Sequence, residues 1–135
     1  MSRSMHIFLD ANCDLATLAK EIGRLLQLQW ERRVDPYETW YEYADETKGL
    51  TLGVHEFEND QDMNFEAYRY DIELRVFHWN DPEEYEQTLT DLANTIYQKL
   101  QSIQKYPLML VDDLQVKLGE FSPRLVVPAV MPTTT

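Results

Sequence analysis

Between residues 37 and 78 three runs of alternating side chains follow one another with no helical pattern between them, and this limits the fold more than any other feature. In residues 37–44, Tyr37, Thr39, Tyr41 and Tyr43 face one way while Glu38, Trp40 and Glu42 face the other. In residues 50–58, Leu50, Leu52 and Val54 alternate with Thr51, Gly53 and His55. In residues 68–78, Tyr68, Tyr70, Ile72, Leu74 and Val76 alternate with Arg69, Asp71, Glu73 and Arg75. Residues 45–49 read as a hairpin turn and residues 59–66 as a polar connection. Consecutive strands without crossover helices argue against a fully parallel, doubly wound sheet. Their apolar-in, polar-out rhythm predicts an antiparallel sheet buried on one face and wet on the other.

Helical spacing flanks these runs. Residues 6–10 (HIFLD) form a short strand-like segment, after which Asn12 or Asp14 can cap a helix. Leu15, Leu18, Ala19, Ile22, Leu25 and Leu26 then share one stripe, weakened at Gly23 and ended by Asp35 and Pro36. A second helix is predicted from Asp81 as cap, Pro82 in the first turn, and Glu83 and Glu84 at the positive end of the dipole. Its buried stripe is Tyr85, Leu89, Leu92, Ile96, Leu100 and Ile103, with Pro107 as the stop. Apolar residues 108–111 and 114–118 surround Asp112 and Asp113, as in a strand that turns back on itself. The expected order is β-α-β-β-β-α-β(β). It describes one α+β domain over residues 1–121, a mostly antiparallel sheet of about five strands with two helices on one face. A proline-rich, extended or mobile tail over residues 122–135 is expected to follow.

The charge of the chain is concentrated in the strand region. Residues 35–87 hold sixteen acidic and three basic residues, a net charge of -13, against -12 for the whole chain. They also hold eleven of the sixteen aromatic residues, which turns an otherwise disorder-prone composition into one that folds with a charged outer side. Such a surface attracts cationic partners and repels nucleic acid. The single cysteine, Cys13, excludes an intramolecular disulfide. With no signal-peptide pattern at the N-terminus and no apolar run of membrane length, a cytoplasmic protein is expected, a monomer or weak homodimer.

Motifs for chemistry are incomplete. Asp60, Asp62 and Asn64 open a calcium-loop spacing, but Phe65 stands where that loop needs glycine and Asp71 where it needs a bidentate Glu. His55 and Glu56 match half of a zinc-protease motif whose second His is absent, position 59 being Asn. His6, His55 and His78 each fall on a different strand, so neither a metal nor another cofactor is expected. Residues 8–12 (FLDAN) resemble the opening of metal-dependent nucleases of the PIN type, which would need Asp10 to converge with Asp112 and Asp113. The middle of the chain lacks the alternating βα units of such a fold, and capping by Asp10 and Asn12 is the simpler reading. No glycine-rich phosphate loop and no nucleophile elbow occur, and no residue set points to an enzyme.

Residues 49–60 (GLTLGVHEFEND), continuing through Asn64 and Phe65 to residues 68–75 (YRYDIELR), together with residues 108–115 (LMLVDDLQ), resemble small immunity proteins of bacterial polymorphic and contact-dependent toxin systems. The resemblance implies a single, cytosolic, acidic α+β domain that binds and neutralises one toxin and has no catalytic residue. The partner-binding residues expected from charge and aromatic content are Glu38, Trp40, Glu42, His55, Phe57, Glu58, Asp60, Asp62, Phe65 and Glu66, facing a basic protein. Two alternatives are a small metal-dependent hydrolase using Asp10, Asp112 and Asp113, and an adaptor or structural subunit of a bacterial or phage assembly joined through an open sheet edge.

Overall fold

The computed structural model describes residues 4–77 and 80–123. Along the chain lie β1 (Met5–Leu9), α1 (Leu15–Leu26), β2 (Glu31–Val34), β3 (Thr39–Ala44), β4 (Lys48–Val54), a 3-10 turn (Phe65–Ala67), β5 (Tyr70–Val76), α2 (Pro82–Ser102), β6 (Leu108–Asp112) and β7 (Val116–Phe121). The seven strands form one sheet in the order β2-β3-β4-β5-β1-β6-β7, antiparallel at every junction. The α+β class is as expected, but the sheet has seven strands where about five were predicted. Residues 108–121 form two full strands, and β2 is new. Its sequence, Glu-Arg-Arg-Val, is exposed at every position, so an edge strand with no buried face has no apolar alternation to announce it.

Both helices cover one face of the sheet. Asp14, not Asn12, caps α1, its Oδ1 accepting the Thr17 N–H at 2.8 Å. Asp81 caps α2 in the same way, accepting from the Glu84 N–H at 2.8 Å. Leu18, Ala19 and Ile22 of α1 and Leu89, Ala93, Ile96 and Leu100 of α2 pack on Met5, Ile7, Leu9, Leu50, Leu52, Ile72, Leu74, Leu108 and Leu110 of the strands. Each fully buried Leu or Ile here contributes about 1.5–3 kcal/mol of transfer free energy. Tyr41 and Tyr43 of β3 lean on the same core, which fixes the facing of that strand. Ile103 lies just past the end of α2 and is 37% exposed, so it leaves the predicted stripe.

The opposite face is not uniformly wet. β1 sits between β5 and β6, and all five of its residues are buried. Its outward residue Phe8, with Met109 and Val111 of β6, is covered by Met63, Phe65 and Tyr68 from the β4–β5 connection. That connection is ordered by its own hydrogen bonds. Asp60 and Met63 exchange backbone bonds of 2.9 and 2.8 Å around Gln61, whose φ of 52° is left-handed. The Asn59 N–H donates to Glu66 at 3.0 Å, and the Glu66 N–H donates to the Asn59 side chain at 2.9 Å. A polar sequence therefore hides three apolar residues that roof the outward face of β1 and β6. The expectations for the tail beyond Pro123 and for His78 fall outside the described residues.

Candidate functional site

Because strand registers are fixed, the helix-free face can be read across the sheet row by row. One row runs Arg33, Trp40, Gly53, Asp71, Phe8, Met109 and Glu120. The next runs Glu31, Glu42, Thr51, Glu73, His6, Val111 and Lys117. In these rows β2–β5 carry most of the charged residues, while β1 and β6 contribute Phe8, Met109, Val111 and the buried His6. The connection roofs the apolar half and leaves the charged half open.

On the open half Trp40 is held in place. Its Nε1 donates to Glu42 at 2.7 Å, and Arg33 Nε donates to the other oxygen of Glu42 at 3.2 Å. The Trp40 bond, helped by Arg33, keeps the Glu42 carboxyl below the usual carboxylate range. Arg33 also pairs with Glu31 at 2.8 Å, and Arg75 with Glu73 at 2.9 Å. A cleft of about 230 Å³ opens between Trp40 and β5, above Gly53, with Glu38, Asp71 and Glu73 around it.

A buried pair marks the boundary between the halves. His6 is 4% exposed, and its Nδ1–H lies 2.9 and 3.0 Å from the two carboxylate oxygens of Asp71. Burial lowers the His6 pKa, but the Asp71 hydrogen bond and charge, with Glu73 behind, outweigh it and leave it raised. Burial likewise raises the Asp71 carboxyl against the pull of His6. On the roofed side His6 stacks on Phe8, ring centres 5.7 Å apart, and meets the edge of Phe57. His55 accepts the Phe57 N–H on Nδ1 at 3.0 Å, so Nε2 carries the proton and donates to the Tyr68 carbonyl at 2.6 Å. Burial pushes the Tyr68 phenol up to about 12.

The predicted partner-binding residues therefore divide into two groups. Glu38, Trp40 and Glu42 share the open half, with Trp40 on the outward side of its strand. His55 and Phe57 do not join Trp40; their rings pack on Phe8 at 4.8 and 5.9 Å. Phe65 is 4% exposed, so it serves as a roof residue and not as a surface contact. It is buried because Phe8 and Met109 would otherwise face water. Glu58, Asp60, Asp62 and Glu66 are exposed along the outer side of the roof. Gly53, Asp71 and Glu73 were missed as site residues. Their outward positions were legible in the alternation, but which of them adjoin Trp40 depends on register.

Asp10 follows the end of β1 that pairs with Leu108, whereas Asp112 pairs with Met5 at the other end. Five residues of strand separate them, roughly 16 Å at about 3.3 Å per residue, so the carboxylate set expected for a hydrolase does not form. The Asp10 side chain instead accepts the Arg69 N–H at 3.1 Å. Among the described residues no group of three or more His, Cys, Asp or Glu side chains is placed to hold a metal ion. Nor is any described helix long and apolar enough to cross a membrane.

A second groove, about 540 Å³, lies on the helix side between the end of α1 and Tyr41. Lys20 and Arg24 edge it, and Trp30 packs into it against Gly23. It is separate from the acidic surface. No protein-family model, no curated protein and no solved structure matches the chain.

Proposed function

We propose that this chain is a non-enzymatic binding domain of the immunity-protein kind, which neutralises a basic toxin by docking its acidic open half-face against it. One observation carries the reading. The chain roofs one half of its helix-free face with its own connection, yet among the described residues nothing covers β2–β5, where a fixed tryptophan stands among carboxylates. A partly buried aromatic surrounded by charge is the composition of a binding hot spot. The surrounding negative field speeds encounter with a cationic partner, while Trp40 sets how long the complex lasts.

The test compares two charge reversals of equal size. Protein carrying Glu38→Lys, on the open half, and protein carrying Asp91→Lys, on α2, are used to capture partners from host lysate at low salt. A single stoichiometric basic protein retained by wild type and Asp91→Lys, lost by Glu38→Lys and released as salt rises, supports the reading. A partner retained equally by both variants, or indifferent to salt, contradicts it.

A further inference from the structure

We infer that the cleft above Gly53 receives one arginine side chain of the docked protein, an inference that rests on the docking reading and narrows it to one residue class. The cleft exists because Gly53 has no side chain. Its strand neighbours in the row, Trp40 and Asp71, both carry one, and a Cβ on Gly53 would stand 3.3 Å from the Cβ of Trp40. The missing side chain leaves a space of about 230 Å³ over the Gly53 backbone.

The walls define what fits. Trp40 has already committed its Nε1 to Glu42, so it offers carbon surface to the cleft. Three carboxylates, from Glu38, Asp71 and Glu73, border the same space. Arg75 pairs with Glu73 and the His6 ring engages Asp71, which leaves Glu38 without an ion-pair partner among the described residues. An unpaired carboxylate beside an aromatic wall matches one cation. A guanidinium is planar, so it can lie against the indole while its N–H edge serves a carboxylate through two bonds. Its aliphatic stem covers the glycine floor. A lysine ammonium supplies charge without the planar fit, and citrulline supplies the planar shape without charge.

The experiment follows the Gly53 amide and the Trp40 indole N–H by NMR in the full chain, titrated with N-acetyl-arginine methylamide and with its lysine and citrulline counterparts. The arginine compound is expected to give saturable shifts at both groups and to bind about fivefold more tightly than the lysine compound. Citrulline is expected to give no saturable shift. Gly53→Ala fills the floor and abolishes the effect, and Glu38→Gln, which leaves the backbone untouched, weakens it several-fold. Equal shifts from citrulline and arginine, unchanged binding in both variants, or no saturable shift with arginine would each overturn the assignment. If arginine gives no shift while a basic protein is still captured through Glu38, the cleft assignment fails and the docking reading stands. If arginine saturates the cleft and no basic protein is captured, the docking reading fails instead.

Discussion

Two halves of one sheet face meet along the His6–Asp71 pair, and the chain treats them in opposite ways. Over β1 and β6 the outward residues are Phe8, Met109 and Val111, and the β4–β5 connection closes over them with Met63, Phe65 and Tyr68. Over β2 to β5 the outward residues are Arg33, Trp40, Glu42, Thr51, Gly53, Asp71 and Glu73, and among the described residues no segment closes over them. The difference follows from the outward side chains and not from position, since β5 is the middle strand of the seven and β6 lies next to an edge. Phe8, Met109 and Val111 are apolar and need a roof, whereas the mostly polar and charged outward residues of β2 to β5 can face water. An aromatic in the first half therefore stabilises the fold, and an aromatic in the second is free to serve a partner.

The sharpest way to break that contrast is to truncate one aromatic from each half. Phe65→Ala should cost about 3–5 kcal/mol of folding stability in urea unfolding, as for a buried aromatic that leaves a cavity. Trp40→Ala should cost about 1 kcal/mol or less in the same measurement, because Trp40 lies on a half-open face. A comparable loss from both would erase the distinction. Partner affinity should respond the other way. Trp40→Ala should weaken the complex by about 2 kcal/mol, roughly thirtyfold in Kd by isothermal titration calorimetry. The roof's own hydrogen bonds come next. Asn59→Ala removes the acceptor for the Glu66 N–H, and about 1 kcal/mol should be lost, with faster amide exchange confined to residues 57–67.

The smallest effect is the dependence on pH at the boundary. The folded chain holds the His6 proton more tightly than the unfolded chain does, so the pair's contribution is complete below the ordinary histidine value of 6.5. It is lost as pH rises through the raised value of the folded state. The raised Asp71 carboxyl acts with the same sign at the acid end, from its ordinary 3.8 upward. Unfolding free energy should fall from pH 6 to pH 8 in wild type and flatten in His6→Gln. A steeper fall in the variant would reverse the assignment.

Much of the frame was legible in the sequence because it rests on local chemistry. The cap at Asp81, the helix stripes and the alternation of β3, β4 and β5 each depend on residues within a few positions of one another, whereas the first cap was narrowed only to Asn12 or Asp14, with Asp10 and Asn12 also read as caps. That Trp40 and the tyrosines face opposite ways was legible in the alternation, but which side is outward is decided only by the packing of Tyr41 and Tyr43 on the core. What escaped depends on distant partners. β2 lacks an apolar face and becomes a strand only by pairing with β3. Phe65 sits in a polar stretch, and only the outward position of Phe8 between β5 and β6 explains its burial. The cleft joins Trp40 to Asp71 and Glu73 through the β3–β4 and β4–β5 registers, and alternation within one strand does not set the register between two.

Amide hydrogen exchange of the complex with its captured basic partner tests the central claim most directly. Protection is predicted in residues 38–42, 51–54 and 71–75, the strands of the open half, with α1 and α2 unchanged. Protection confined to the helices, or to residues 57–67 of the roof, would contradict the division of the sheet into a structural half and a docking half.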